Sequence, residues 1–422
     1  MVATETQRPR TARPSRVGAY ITDLLGTDLP VRFDCYDGTR AGPESATTRV
    51  VVRSPEALQY IATAPGELGF ARAYVAGQID VEGDIFDALA LRSQLPDVRL
   101  RASQWMALAR LVGAAGLKRP PIPAEEVRLH GRRHSRARDA AAISHHYDVS
   151  NDFYRMVLGP SMTYSCAVWS SPDITLDDAQ AAKYELICRK LGLRPGMRLL
   201  DVGCGWGGMA MHAARHYGVE AVGITLSHKQ AEYARQAAAD ADLRAVEFRV
   251  QDYRDVDGRY DAISSIGMFE HVGLARLREY FTHLHELLRP GARLLNHGIS
   301  RPADGHRSRF NRRGFIDRYV FPDGELHEIG SVVSRMQETG FEVRHVEGLR
   351  EHYALTLRAW VRNLEANWED AVATAGAGRA RVWRLYMAGA ALNFEDGGTQ
   401  IHQVLGVRPD GGRSGVPWRP DW

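Results

Sequence analysis

Apolar residues in the middle of the chain form short runs that alternate with longer amphipathic stretches. The stretches between the runs repeat their apolar residues with the period of a helix. Strands that alternate with helices predict an α/β fold, a doubly wound Rossmann-like sheet that binds its ligand beyond the carboxyl ends of the strands. Five runs have the length of a buried strand: Leu199–Val202, Ala221–Leu226, Val246–Val250, Tyr260–Ile266 and Ala292–Ile299.

Four glycines follow the first of these strands, at positions 203, 205, 207 and 208. Glycine lets the backbone approach a ligand closely, and the helix that follows directs its first N–H groups at that ligand. The Asp-x-Gly-x-Gly spacing, with no phosphate-binding Gly-Lys-Ser/Thr after it, favours a nucleoside without pyrophosphate, namely S-adenosylmethionine. The alternative is a dinucleotide fold, which needs Gly-x-Gly-x-x-Gly and an acid at the end of the second strand, where Thr225 stands.

The pattern before residue 118 predicts a separate, smaller α+β domain at residues 17–117. It shows no cluster of reactive side chains, so we expect this domain to bind lipid or to pair subunits. Residues 1–16 carry four arginines among prolines and threonines, which predicts a disordered arm. The strand-like and helical stretches of the small domain are Val31–Tyr36, Thr48–Arg53, Pro55–Ala64, Ile85–Leu95 and Trp105–Leu117.

Residues 118–140 form a basic linker in this interpretation, with seven Lys or Arg against two Glu. A solvated linker and a strip attracted to an anionic membrane surface fit this composition equally. Residues 141–407 then form the catalytic domain. The residues from 408 to 422 are rich in Pro, Gly and Trp, which predicts a mobile tail.

Composition excludes several classes of protein. Of the 422 residues, 44% are apolar and 25% are charged, as in a globular protein with a sizeable core. The net charge of +3 is too small to indicate nucleic acid as a partner. The four cysteines show neither Cys-x-x-Cys nor a metal-binding spacing, which predicts reduced thiols in the cytoplasm. No apolar run reaches the roughly 18 residues that a membrane-spanning helix needs.

Several separate motifs, spread from about residue 143 to 405, resemble the cyclopropane-fatty-acyl-phospholipid synthases. The resemblance implies a class I methyltransferase fold, S-adenosylmethionine as cofactor, and methylene transfer to the cis double bond of an unsaturated phospholipid acyl chain. With it we expect a homodimer in the cytoplasm, peripherally associated with the inner face of the membrane. The motifs are His146–Asp152, Tyr164–Ala167, Gly203–Gly207, Gln251–Asp255 and Met268–Gly273.

The resemblance assigns eight residues to the cofactor. It places Gly203 and Gly205 under the methionyl part and Gln230 at the ribose, where a carboxamide would replace the usual acid. The third strand ends at Gln251 and Asp252, where adenine is expected. The full set is Tyr164, Ser165, Gly203, Gly205, Thr225, Gln230, Gln251 and Asp252.

The implied reaction needs a base that works without water. An unactivated alkene attacks the sulfonium methyl group, and the carbocation that forms must lose a proton from that methyl as the ring closes. In the resembled family a bound bicarbonate ion is the base. Its matching ligands here are Cys166, Glu270, His297, the backbone of Ile299, and Tyr353.

One short segment departs from the family pattern. Asn296 and Gly298 stand in Leu-Leu-Asn-His-Gly-Ile, where the family commonly has Leu-His-Thr-Ile. We expect this departure to reshape the acceptor pocket and to change the product. The same cation would give a methylene or methyl branch if a hydride shift preceded deprotonation.

Two other functions compete with lipid methylation. One is a small-molecule methyltransferase, and the other is a lipid-binding protein with an inactive transferase fold. The insertion at Arg301–Pro322 contains five further arginines and four aromatic residues, which favours a lipid over a small polar acceptor. Its arginines at 307, 309, 312 and 313 are candidates for binding lipid phosphate, with a solvated loop as the alternative.

Overall fold

The computed structural model describes residues 16–91, 101–113, 119–127, 138, 150–303, 314–322 and 324–422. The chain divides into two compact units, residues 1–123 and 124–422. Several predictions lie outside the described residues: nearly all of the N-terminal arm, most of the basic linker, the first part of the His146–Asp152 motif, and the arginines at 307, 309, 312 and 313.

The first unit contains a sheet in the order β2-β1-β3-β4, in which β1 and β3 are parallel and the other neighbours antiparallel. Side chains alternate along the strands, so that Phe33 and Val50 face the core of this unit. The elements are α1 (Val17–Leu25), β1 (Arg32–Cys35), β2 (Arg40–Ala41), β3 (Arg49–Val52), α2 (Pro55–Thr63), α3 (Glu67–Val75), β4 (Ile79–Glu82), α4 (Ile85–Ala90) and α5 (Ala102–Val112).

Sequence patterns did not predict α1, α3, β2 or β4 in this unit. Neither α1 nor α3 begins with a side chain that caps it, so each lacks the usual start signal. The strand β2 has two residues and pairs with β1 across a turn at Asp37 and Gly38. The predicted turn is therefore real, but it joins β1 to a strand too short to show a pattern.

The second unit contains a large sheet in the order β11-β12-β9-β8-β5-β6-β7, with β10 paired to β9. The neighbours from β9 to β7 are parallel, whereas β12 runs antiparallel to both β9 and β11. The strands are β5 (Arg198–Val202), β6 (Glu220–Thr225), β7 (Val246–Val250), β8 (Tyr260–Ile266), β9 (Leu288–Arg301), β10 (His327–Glu328), β11 (Glu342–Gly348) and β12 (Gln400–Val407).

Helices cover both faces of this sheet, which confirms the predicted doubly wound α/β fold. Leu199 packs with α7, α8 and α9 on one face, and its neighbour Leu200 packs with α10 and α12 on the other. The helices are α6 (Asn151–Leu158), α7 (Leu176–Leu191), α8 (Gly208–Tyr217), α9 (His228–Asp240), α10 (Leu277–Leu287), α11 (Phe315–Tyr319), α12 (Ile329–Glu338), α13 (Arg350–Ala366), α14 (Trp368–Ala375) and α15 (Ala377–Glu395).

The C-terminal residues 408–422, for which composition predicts mobility, contact the second unit at several points. Arg293 donates from Nη2 to the carbonyl oxygen of Gly415 at 2.7 Å. The Trp422 ring packs edge-on against His345, with 5.9 Å between ring centroids. Among the described residues, no helix combines the length and apolar content that a membrane span requires.

Candidate active site

One cavity lies beyond the carboxyl ends of β5, β6 and β7, where a doubly wound sheet binds its ligand. It holds about 1200 Å³ of space, including the part that opens to solvent. The fold brings all eight residues predicted for the cofactor to its wall, although they come from separate segments: Tyr164, Ser165, Gly203, Gly205, Thr225, Gln230, Gln251 and Asp252.

The glycine-rich turn between β5 and α8 forms one wall of this cavity. Gly203, Gly205 and Gly207 have φ angles of 77°, 55° and 88°, in the left-handed region that favours glycine. A Cβ atom at position 207 would also lie 2.5 Å from the ring of Phe248. Because Gly207 has no side chain to cap α8, the first N–H groups of that helix remain for a ligand.

A hydrogen-bonded pair lies at the end of β6. Thr225 Oγ1 donates to Gln230 Oε1 at 2.8 Å, and the backbone N–H of Ser227 donates to Thr225 Oγ1 at 3.2 Å. The carboxamide oxygen of Gln230 is therefore occupied, which leaves its NH2 group to donate to an oxygen of a ligand. This arrangement replaces the acid that a dinucleotide fold carries at the same place.

Gln251 and Asp252 line the cavity and also form local contacts. Both carboxylate oxygens of Asp252 accept from Arg254, from Nε at 2.8 Å and from Nη2 at 2.5 Å. Gln251 Nε2 donates to the carbonyl oxygen of Asp255 at 2.8 Å. The two side chains therefore shape the turn after β7 as well as the cavity wall.

A buried lysine that the sequence analysis missed also lines the cavity. Burial lowers the pKa of Lys183 to about 7, although Cys166 and Asp201 nearby act to raise it. Burial likewise raises the pKa of Asp201 to about 6, against the hydrogen bond from Ser264 Oγ and the charge of Lys183. The cavity therefore borders two buried groups that titrate close to neutral pH.

Helix α7 holds the segment that closes the cavity. Lys183 Nζ donates to Ser165 Oγ and to Gln180 Oε1, both at 2.8 Å. Gln180 Nε2 donates to the carbonyl oxygen of Ser165 at 3.0 Å, and the hydroxyls of Tyr184 and Thr163 lie 2.5 Å apart. Three side chains within two turns of the helix therefore fix the position of Thr163–Ser165.

The residues predicted to bind bicarbonate lie in a second, buried cluster next to this segment. Cys166 directly follows Ser165, and its Sγ atom lies 3.7 Å from the carbonyl oxygen of Leu349. The same carbonyl oxygen accepts from the backbone N–H of Tyr353 at 3.2 Å. Cys166 and Tyr353, 187 positions apart in the chain, are thus linked through one backbone group.

The other members of the cluster join through the sheet. The backbone N–H of Leu349 donates to the carbonyl oxygen of Ile401 at 2.9 Å, and Ile401 lies directly opposite Ile299 in the register of β12 and β9. The backbone N–H of Ile299 donates to Glu270 Oε1 at 2.6 Å. His297 lies two residues before Ile299 on β9 and so shares its face of the sheet.

Two side-chain atoms in this cluster have no partner among the described residues. They are Glu270 Oε2 and His297 Nε2, and both residues are buried. Burial raises the pKa of Glu270 to about 7, against the hydrogen bond from Ile299. Burial, with the positive charges of Lys183 and Lys190, holds the pKa of His297 well below its ordinary value. Buried polar atoms without a partner are uncommon and indicate a place for a ligand.

The departure at Asn296 and Gly298 changes the packing beside Glu270. A Cβ atom at position 298 would lie 1.8 Å from the ring of Phe269, so the strand approaches that ring more closely than any side chain allows. Asn296 is buried, and its Oδ1 atom has no partner among the described residues.

Aromatic side chains surround Tyr164, which separates the cavity from the second cluster along the chain. The Tyr164 ring stacks on Trp360, with 5.2 Å between centroids, and lies 5.4 Å from the ring of Trp383. Its hydroxyl donates to the hydroxyl of Tyr386 at 3.2 Å. On the other side of Trp360, Tyr353 makes an edge contact at 6.0 Å. The sequence analysis did not identify Trp360, Trp383 or Tyr386.

Known proteins resemble this chain in sequence and in fold. A probable fatty acid methyltransferase of Mycobacterium tuberculosis is 46% identical over 93% of this chain and 95% of its own length. The cyclopropane-fatty-acyl-phospholipid synthase of Escherichia coli is 32% identical over 86% of this chain and 88% of its own length. The crystal structure of the mycolic acid cyclopropane synthase CmaA1 complexed with SAH and CTAB is 38% identical, with a TM-score of 0.60, and covers 63% of this chain and 97% of that one.

The match to a family description covers more than half of the chain. The family model for mycolic acid cyclopropane synthetase matches residues 134–404, which lie in the second unit apart from their masked positions. The solved structures confirm the predicted class I methyltransferase fold. The chain therefore belongs to the mycolic acid cyclopropane synthetase family, and it is an S-adenosylmethionine-dependent methyltransferase.

Proposed function

We propose that this enzyme transfers a methylene group from S-adenosylmethionine to the cis double bond of an unsaturated phospholipid acyl chain and makes a cyclopropane ring. The observation that carries the proposal is the buried cluster beside the cofactor cavity, in which Glu270 Oε2 and His297 Nε2 have no partner among the described residues. A plain methyltransferase needs only the cavity. A base that removes a proton from the transferred methyl needs this second, water-poor site as well.

The residues of the cavity fit S-adenosylmethionine, which supplies an electrophilic methyl group on a sulfonium. Gly203 and Gly205 leave room for the methionyl part, and the free NH2 of Gln230 can donate to a ribose oxygen. Tyr164 and Ser165 are fixed over the cavity by α7 and by the aromatic contacts of α13 and α15. Gln251 and Asp252 form the wall where the adenine would lie.

The second cluster fits a small oxyanion such as bicarbonate, which would accept the proton. Burial raises the pKa of the Cys166 thiol, so it stays protonated and can donate its hydrogen. Glu270, with a pKa of about 7, can present a proton on Oε2, and neutral His297 can present one on a ring nitrogen. Three neutral donors around one space favour a bound anion. The backbone of Ile299 and the side chain of Tyr353 complete the proposed ligand set.

The aromatic residues give this site its resistance to water. Tyr164, Trp360 and Trp383 present ring faces between the cavity and the cluster. Aromatic faces attract cations by about 0.5–2 kcal/mol, so they stabilise positive charge as it moves from sulfur to the acyl chain. They also exclude the water that would otherwise attack the carbocation.

The phospholipid form of the substrate is the finer part of the proposal. The Escherichia coli relative carries that substrate in its name, and the insertion at Arg301–Pro322 combines arginines with aromatic residues. We include in the proposal a homodimer that associates peripherally with the inner face of the cytoplasmic membrane. The bicarbonate ligands and the eight cofactor residues belong to it in the same way.

A second product has specific support. The relative with 46% identity is named a probable fatty acid methyltransferase, and Asn296 and Gly298 depart from the family pattern beside Glu270. A methyl or methylene branch would form if the carbocation underwent a hydride shift before it lost a proton. The same residues would bind the cofactor and the base in both cases.

Mass spectrometry of lipids separates these products. The full-length enzyme is incubated with vesicles of an unsaturated phospholipid and S-adenosylmethionine labelled in its methyl group. We expect acyl chains that gain one labelled CH2 and fragment as a ring. A labelled branch would establish the second product, and no label in any acyl chain would contradict both.

A further inference from the structure

A row of polar side chains crosses the sheet and ends at His297. Gln403 on β12 lies directly opposite His297 on β9, and it also lies directly opposite Glu347 on the edge strand β11. Directly opposed residues share one face of a sheet, here the face covered by α7. Lys190, in the last turn of α7, lies between Glu347 and Gln403 and is fully buried.

The hydrogen bonds in this row have a fixed direction. Lys190 Nζ donates to Gln403 Oε1 at 2.7 Å and also to Glu347 Oε2. An ammonium group has only donors, so the oxygen of the Gln403 carboxamide must face Lys190. Its NH2 group must then face His297 Nδ1, which lies 3.1 Å away. That nitrogen accepts, and so carries no proton.

We infer that Lys190 and Gln403 are positioning residues that hold His297 in the tautomer with its proton on Nε2. This inference rests on the proposed function, because it gives the unpartnered Nε2–H of a buried ring a role as donor to the bound oxyanion. In the opposite tautomer Nε2 would present a lone pair to that anion and repel it. Second nitrogens of functional histidines are commonly fixed in this way by a neighbouring group.

The surroundings of the ring support a neutral histidine. Burial lowers the pKa of His297, and the positive charges of Lys183, Lys190 and His402 lower it further. Glu347 is about one-third exposed and can balance the charge of Lys190 at the surface end of the row. The row therefore places a cation two residues away from the ring without a carboxylate next to the ring itself.

Nitrogen NMR of the full-length protein with labelled histidine tests the tautomer directly. His297 is assigned by comparison with a His297→Gln variant. In the unmodified protein we expect Nε2 to be protonated and Nδ1 not. A proton on Nδ1 would overturn the inference. This readout does not depend on lipid turnover, so it stands or fails separately from the proposed function.

Gln403→Glu is the sharpest variant, because it keeps the shape and makes both oxygens acceptors. It should place a proton on His297 Nδ1 and lower kcat by roughly 10- to 100-fold, as is typical for outer-shell partners, with little change in the KM for S-adenosylmethionine. Lys190→Met, which removes the donor that orients Gln403, should give a mixture of tautomers and a smaller loss. It also serves if Gln403→Glu does not fold.

Gln400→Glu on the same strand is the matched control, since Gln400 is partly exposed and lies opposite Ser300. It should change neither the spectrum nor kcat. A Gln403→Glu protein with an unchanged His297 spectrum would overturn the relay. A changed spectrum with unchanged kcat would overturn its role in the reaction, and an equal loss in Gln400→Glu would assign the effect to charge in the strand.

Discussion

The cofactor cavity and the buried cluster beside it are built in different ways. The cavity is made of short stretches of sequence, and several of its side chains are already hydrogen-bonded within the protein, as in the pairs Thr225–Gln230 and Asp252–Arg254. The cluster joins residues from distant parts of the chain and leaves Glu270 Oε2 and His297 Nε2 without partners among the described residues. The cavity is thus prepared mainly by shape, and the cluster by polar groups that are kept unpaired.

The largest expected effect breaks the cluster and spares the cavity. Glu270→Gln keeps the shape but removes the ionisable group, so kcat should fall by about 100-fold or more, within the range of general acid–base contributions. The Kd for S-adenosylmethionine by calorimetry should change little, because Glu270 contacts Ile299 and does not line the cavity.

Glu279→Gln, on the exposed side of α10, is the control for that variant and should keep normal activity. Depletion of bicarbonate should slow the unmodified enzyme reversibly and should have less effect on the Glu270→Gln protein. Near-normal turnover of Glu270→Gln would remove Glu270 from the reaction.

The same residue should make stability depend on pH. The folded state raises the pKa of Glu270 from 4.5 to about 7, so it binds more protons than the unfolded state between these values. The free energy of unfolding should therefore fall as pH rises from 4.5 to 7, by up to about 3 kcal/mol from this group. Urea titrations across this range should show a flatter profile for Glu270→Gln, and parallel profiles would contradict the burial argument.

Close packing beside the cluster gives a smaller effect. Gly298→Ala places a methyl group in the ring of Phe269, and overpacking of this kind costs about 1–3 kcal/mol. Gly330→Ala in the first turn of α12 meets no atom within 4 Å and should leave stability unchanged or slightly higher. The midpoint of urea unfolding measures both, and equal midpoints would show that Phe269 moves freely.

The smallest expected effect concerns the cavity. Gln230→Met removes one neutral donor to the ribose, which contributes about 0.5–1.5 kcal/mol, or roughly 2- to 12-fold in Kd for S-adenosylmethionine. Because the turnover site is separate, kcat at saturating cofactor should stay within twofold or so of normal. Gln236→Met, on the exposed face of the same helix, should bind as the unmodified protein does. A loss confined to kcat would place Gln230 in the wrong region.

The sequence could predict the sheet and the cavity because their signals are local. The strands from Leu199 to Ile299 are apolar runs bounded by polar turns, and the Gly203–Gly208 turn carries its own spacing. The four residues Cys166, Glu270, His297 and Tyr353 carry no such signal, and only the family resemblance could group them. Their roles remain predictions that the variants above test.

Lys183 and Lys190 show why the remaining residues were missed. A lysine on a helix is usually solvated, and a charged residue in α7 therefore suggests the surface. The two lie seven positions apart, on the same side of the helix as Ala179 and Ile187, and all four are buried. That spacing on an apolar face is the one signal in the sequence that separates them from ordinary surface lysines.

Gly298 has a consequence for how this family can vary. Since no side chain fits between the strand and the Phe269 ring, positions 269 and 298 form a single unit of variation. A relative with a larger residue at the position of Gly298 must turn or shrink the ring at the position of Phe269. Libraries that randomise either position alone would therefore sample mostly misfolded or displaced sites, whereas paired randomisation would explore the shape of the acceptor space.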